Sequence, residues 1–240
     1  ATISDTASYQ LDFQHGDTLL YVIQANMQID SLAQNWRGVL SDADAIAPLV
    51  RRYPGVGSML PMVTTPLIAY AQASQGRMSA AEARIAATPA DCYDCLIARA
   101  RIAELEGQHA RADWWFARAV DGQKSIPIAY SYWGEALLAR GDTDAAVAKF
   151  AMANKLGPHY ADPIEGWGEA LMKKNRSDLA LAKFEEAAKY APNWGRLHLK
   201  WGEALYFAGN KEEAQKQFAR AATLDLTGAE RADLARATQG

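Results

Sequence analysis

Cysteine is almost missing from this chain. Cys92 and Cys95 are the only two in 240 residues, too few for a disulfide scaffold. Their Cys-x-x-Cys spacing has no second pair and no histidines at ligand distance, so it does not predict a structural zinc site. The surroundings read as helical rather than βαβ, which argues against a thioredoxin-like site. The expectation is two small, partly buried residues at the start of a helix, which leave the compartment open between cytoplasm, the favoured one, and periplasm. Charge of one sign is scarce too. The net charge is −3 and no run of like charge occurs, which excludes a nucleic-acid footprint and a charged disordered tail. Long apolar runs are absent: the longest stretches carry Gln, Asn or Pro and fall short of a membrane span. The chain opens at Ala1 with no charged and apolar leader before it, which fits a processed form or a piece of a longer protein.

Catalytic patterns are equally scarce. His15, His109, His159 and His198 are scattered, with no His pair at i, i+4 around a Glu. There is no Gly-x-Ser-x-Gly elbow. Residues 53–58 contain glycines but no phosphate-loop lysine, and read as a turn between helices. The chain is therefore expected to be no enzyme and to hold no cofactor or metal.

A repeat is what the chain does have. Trp-Gly-Glu-Ala-Leu occurs three times, beginning at Trp133, Trp167 and Trp201, with the same step from each to the next. A fixed period of about 34 residues predicts stacked units that bury their apolar faces on one another. The spacing from Tyr130 to Trp133 to Leu137 is i, i+3, i+7, one face of a helix. Downstream come Ala146, Phe150, Ala153 and Pro158, matched by Ala180, Phe184, Ala187 and Pro192, then by Ala214, Phe218 and Ala221. Leu226 stands where the third closing proline would be. Gly134, Gly168 and Gly202, with Ala146, Ala180 and Ala214 on the facing helix, allow close helix approach. Gly141 and Gly209 end first helices. Asp142, and Asn210 with Glu213, are expected to cap second helices, as are Ser79 with Glu82 and Thr227 with Glu230 in their own units.

This pattern resembles the tetratricopeptide repeat. The resemblance implies an all-α, right-handed solenoid of antiparallel helix pairs. Residues 127–228 form three strong repeats, and 229–240 an amphipathic capping helix. Residues 58–126 read as degenerate repeats. One spans 93–126 with Ala100 in the glycine slot; the other is shortened and made irregular by Pro61 and Pro66. Residues 1–57 are a divergent helical segment. Within it 1–14 read as an extended lead-in, and Gly38, Ala43, Ala47 and Val50 suggest a decayed unit over 24–57. Trp133, Trp167 and Trp201 are expected in the core, and His198 in a core or groove-lining position. Of the adjacent Trp114 and Trp115, one faces inward and the other outward.

Proteins of this family bind an extended peptide or helix of a partner in the groove lined by the first helices. That implies a non-enzymatic scaffold or adaptor; the alternative is a regulatory domain of a larger bacterial signalling protein, and the alanine- and tryptophan-rich composition looks bacterial. The residues after the repeat glycines, Glu135, Glu169 and Glu203, would stack as a row of acids. With Glu165 beside them they favour a basic or hydrogen-bond-donating segment, against the plain reading of solvated helix-surface glutamates. Lys200 and Tyr206 give the C-terminal end a mixed basic and aromatic character. Between Ile128 and Gly228 the charges balance, 13 basic against 13 acidic, so the row is local patterning. Glutamates stand where a carboxylate clamp for chaperone C-termini would carry lysine and asparagine, which argues against that class of adaptor.

Overall fold

A computed structural model describes residues 3–53 and 60–239, and every element among them is helical. The expected turn at 54–58 lies outside the described residues. The chain divides into two compact units, 1–115 and 116–240.

The first unit opens with a single helix, α1 (Ile3–Leu32). This corrects the expectation of an extended lead-in over 1–14. Between Ile3 and Leu32 there is no proline and one glycine, Gly16, so nothing stops the helix from propagating back to Ile3. It turns at Gln34, which takes a left-handed φ of 53°. Helices α2 (Trp36–Asp44) and α3 (Ile46–Arg52) then pack back on α1. Gly38 sits inside α2 rather than at the turn, pressed against the Asp30–Asn35 side-chain pair. Met27 and Val39 are fully buried here, with Leu20, Ile46, Leu49 and Ile68 around them.

Helices α4 (Leu60–Ser74) and α5 (Met78–Ala86) form the shortened unit, with Pro66 inside a continuous α4. Ser79 lies within α5, so it cannot cap it, and Glu82 instead pairs with Arg111 at 3.2 Å. Helices α6 (Tyr93–Leu105) and α7 (His109–Gly122) fall where the repeat over 93–126 predicts them. Cys92 is the N-cap of α6, its sulfur accepting from the Cys95 N–H. The two cysteines stand at a helix start as expected, but they are joined in a disulfide, a pairing the sequence reading did not make. Buried Arg99 fastens the end of the shortened unit. Its guanidinium donates to the carbonyls of Ile85 (2.8 Å), Thr88 (3.1 Å) and Pro89 (3.2 Å) and lies over the half-buried Trp115 ring at 5.3 Å. Trp114 is the exposed one of the pair.

The second unit continues with α8 (Ile128–Arg140), α9 (Thr143–Leu156), α10 (Ala161–Lys173), α11 (Ser177–Tyr190), α12 (Gly195–Phe207), α13 (Lys211–Ala222) and α14 (Gly228–Thr238). Consecutive helices pair, α8 with α9, α10 with α11 and α12 with α13, and each pair stacks on the next. The period is written in the backbone. Gly107, Gly141, Asn175 and Gly209 all have positive φ, each one repeat period after the last. After each of the last three the next N–H turns back to a first-helix leucine carbonyl, Asp142 to Leu137, Arg176 to Leu171 and Asn210 to Leu205, all at 2.9 Å. This is the bond that closes a helix around a left-handed residue.

The repeat glycines sit against phenylalanine. A Cβ on Gly134, Gly168 or Gly202 would come within 2.7, 2.9 and 2.5 Å of Phe150, Phe184 and Phe218. Phe150 also closes on Gly166 of the following unit, at 2.6 Å from where a Cβ would be. Phe150 and Phe184 are thus almost wholly buried, each worth about 1.5–3 kcal/mol in transfer alone. The three tryptophans differ from the expectation: they are half-buried rather than core. Trp133 and Trp167 each lie beneath a lysine of their own second helix, Lys149 at 3.2 Å and Lys183 at 4.3 Å from the ring centre. The indole covers the core with one side and holds a cation on the other. In the third unit the equivalent position is Gln217, which meets Nδ1 of the buried His198 at 2.7 Å.

Caps follow the sequence in part. Thr227 and Glu230 form a complete capping box at α14. Asp142 and Asn210 occupy N-cap positions but make no side-chain cap bond; Glu213 pairs with Lys216 at 2.6 Å instead.

Candidate functional site

The first helices of the second unit, α8, α10 and α12, lie side by side, and α14 takes the next place after α12. Residues one period apart therefore share a slot on one surface. One slot holds Ser131, Glu165 and Leu199, all buried, so Glu165 is a carboxyl at a core position. Another slot, in the first turn, holds Ile128, Asp162, Arg196 and Glu230. Arg196 is the centre of the arrangement. Its Nε lies 3.3 Å from Glu165 Oε1, one terminal nitrogen bonds Glu169, and the other is 3.8 Å from Glu230.

The predicted row is thus not three equivalent glutamates. Glu135 is exposed and within the field of Arg196. Glu169 is drawn onto Arg196, and Glu203 is paired with Lys200 at 3.0 Å. Glu165 and Lys200 belong to the same cluster. Tyr206 does not: it lies at the far end of α12 beside Phe207 and Lys211. Sequence reasoning missed Arg196 and Asp162, although stepping through the first-turn slot one period at a time shows the alternation Asp162, Arg196, Glu230.

Electrostatics separate the two neighbouring carboxyls. Burial, then the adjacent Glu169, pushes Glu165 well above the usual carboxylate range. Burial also raises Glu169, but Arg196, the hydrogen bond with Glu165 and Lys200 outweigh it and hold Glu169 below its ordinary value. Of the pair, Glu165 thus favours the proton and Glu169 the charge. Glu165 Oε1 has no hydrogen-bond partner among the described residues; Arg196 Nε is near enough to attract it but not aligned to donate. Asp162 is raised by burial, partly offset by the Tyr160 hydroxyl, which donates to it at 3.3 Å, and by Arg196. Tyr160 itself is pushed far up, by burial first and then by Asp162. Among the described residues no group of His, Cys, Asp and Glu has the arrangement of a metal site, and no helix is long and apolar enough to cross a membrane.

No protein-family model matches the chain, and no curated protein matches it by sequence. Solved structures do. A structure of PilF from Pseudomonas aeruginosa superposes with a TM-score of 0.60, over 68% of this chain and 76% of that one, at 15% identity. A crystal structure of MamA gives 0.52 over 65% and 93% at 21% identity, and a second gives 0.52 over 68% and 90% at 19%. PilF and MamA are tetratricopeptide-repeat solenoids. This chain has the tetratricopeptide-repeat fold. Its glycine–phenylalanine contacts and its left-handed turn once per period are the tetratricopeptide architecture in atomic detail. Similarity at this level carries the fold alone.

Proposed function

We propose that the chain is a non-enzymatic scaffold that takes a basic segment of a partner protein on the surface formed by α8, α10, α12 and α14. The supporting observation is an imbalance. Among the described residues, Glu135, Asp162, Glu165, Glu169, Glu203 and Glu230 gather around two cations, Arg196 and Lys200. Burial raises the pKa of Asp162, and burial followed by the adjacent Glu169 raises that of Glu165, so a further cation brought to this cluster would favour their charged forms. A lysine or arginine from a partner would supply that charge beside the exposed Glu135. The same surface disfavours the acidic C-terminus of a chaperone, which needs lysine and asparagine there.

Glu135 is the carboxyl to reverse, because it is exposed while Glu169 and Glu203 anchor Arg196 and Lys200. The test is an affinity capture from the source cells with wild type beside Glu135→Lys, at low and raised salt. A partner held by wild type, lost from the variant and released by salt, with a basic segment that cross-links near α8 and α10, supports the reading. A partner held equally by both proteins at either salt overturns it.

A further inference from the structure

Helices α13 and α14 carry a second surface. Helix α10 is packed between α9 and α11, and α12 between α11 and α13; α14 packs on α12 and α13 in the place of a further first helix. Its other side, where α10 and α12 are each covered by a second helix of their own, opens onto a cleft of about 760 Å³. The repeat explains the space. One period after Trp167 and Trp201 comes Ala235, so a methyl stands where the other first helices hold an indole. The buried Phe218, Leu226 and Leu234 line it, together with the exposed Ala219 and Ala235. Lining positions on α13 recur at Lys211, Gln215, Phe218 and Ala222, and on α14 at Arg231, Leu234 and Thr238, one face of each helix.

The charge at this cleft is one-sided, opposite in sign to the carboxylate cluster. Lys211 and Arg231 stand at the rim, and no aspartate or glutamate lines it. Lys211 rests over Tyr206, 5.3 Å from the ring centre, and Arg231 donates to the Leu226 carbonyl. Neither is in an ion pair among the described residues. Phe207, 76% exposed, adjoins Tyr206 at the same end. We infer that this cleft docks an amphipathic helix of a partner protein, one with an apolar stripe flanked by carboxylates, lying where the second helix of another repeat would lie. Its apolar residues fill the space over Ala219 and Ala235, and its carboxylates meet Lys211 and Arg231.

The chain supplies its own probe. Helix α11 covers α10 in the same manner, with Leu181 and Phe184 in the core it shares with α10 and Glu185 and Glu186 beside them. A synthetic peptide of residues 177–192 is titrated into the isotopically labelled 240-residue protein and followed by amide chemical shifts. Saturable shifts confined to residues 206–238 are expected. A Lys211→Glu, Arg231→Glu variant with an otherwise unchanged spectrum is expected to bind roughly tenfold more weakly, as is a peptide with Glu185→Gln and Glu186→Gln. Ala235→Glu, an exposed position, should abolish the shifts by filling the space. No shifts, shifts centred on α8 and α10, or equal binding by the uncharged peptide would overturn the inference. So would sedimentation showing that the protein pairs with itself through α13 and α14, because the occupant would then be a second copy.

Discussion

Replacing Glu165 by glutamine isolates the central electrostatic claim about the carboxylate cluster. In the folded protein burial and Glu169 hold the Glu165 carboxyl well above the usual carboxylate range; in the unfolded chain it titrates near its ordinary value of about 4.3. Above that value the folded state binds a proton that the unfolded state has lost. Stability from this group therefore falls as pH rises, until the folded carboxyl itself ionises. The steepest slope for one proton is about 1.4 kcal/mol per pH unit. Glu169 has the opposite sign. Its folded value is depressed, so its contribution is present above the ordinary carboxylate range and lost as pH falls through the folded value. Its transition lies below the window in which Glu165 acts. Glutamine keeps the shape and neutral charge of protonated Glu165 and does not titrate. The stability of Glu165→Gln relative to wild type should thus rise as pH climbs above the ordinary carboxylate range, by up to about 1.4 kcal/mol per unit, until the folded carboxyl ionises. Urea unfolding followed by tryptophan fluorescence at several pH values, at constant ionic strength, measures it. A difference that stays constant over that climb in pH would refute the reasoning. A difference that shrinks would mean that Arg196 holds Glu165 ionised.

Four further substitutions probe the scaffold. Gly202→Ala gains about 1 kcal/mol of helix propensity but drives a methyl to 2.5 Å from Phe218, at an overpacking cost of about 1–3 kcal/mol; a net loss of about 1 kcal/mol is expected by urea unfolding, whereas Gly122→Ala, which meets nothing within 4 Å, should be neutral or slightly stabilising. Arg99→Ala removes the guanidinium donor from the carbonyls of Thr88 and Pro89, and one of the donors to Ile85, at the end of the shortened unit and should cost about 2–3 kcal/mol; hydrogen exchange would place the loss around α5 and α6, and uniform exchange across the chain would refute it. Thr227→Ala removes the capping box of α14 and should cost about 1 kcal/mol, seen as faster exchange in α14 ahead of α12 and α13.

The repeat made most of the second unit legible. Gly134, Phe150 and Leu137 recur with their counterparts at one spacing, and stacking gives every such slot the same neighbours. Knowing the period was enough to place the helices, the tight glycines and the turns, Asn175 being the turn residue passed over because it is not glycine. The first unit was legible only in part. Its opening helix has no repeat signal, and the continuity of α1 rests on the absence of breakers. The caps at Asp142, Asn210 and Ser79 were misjudged because a local pattern permits a hydrogen bond without requiring it, and Glu82 and Glu213 found lysine or arginine partners instead.

The sequence alone determined the period, and with it the helix pairs and the fold they build. It also set which small residues must face which large ones, since those relations repeat within a single chain. It did not determine the state of the carboxylates. Glu135, Glu169 and Glu203 are identical in their pentapeptides, yet one is exposed, one is held by Arg196 and one by Lys200. Lys200 meets Glu203 within α12, but Arg196 meets Glu169 between repeats, across neighbouring first helices whose charges meet only after stacking. Burial and Coulomb interactions depend on distances in space, and only the tertiary structure fixes those.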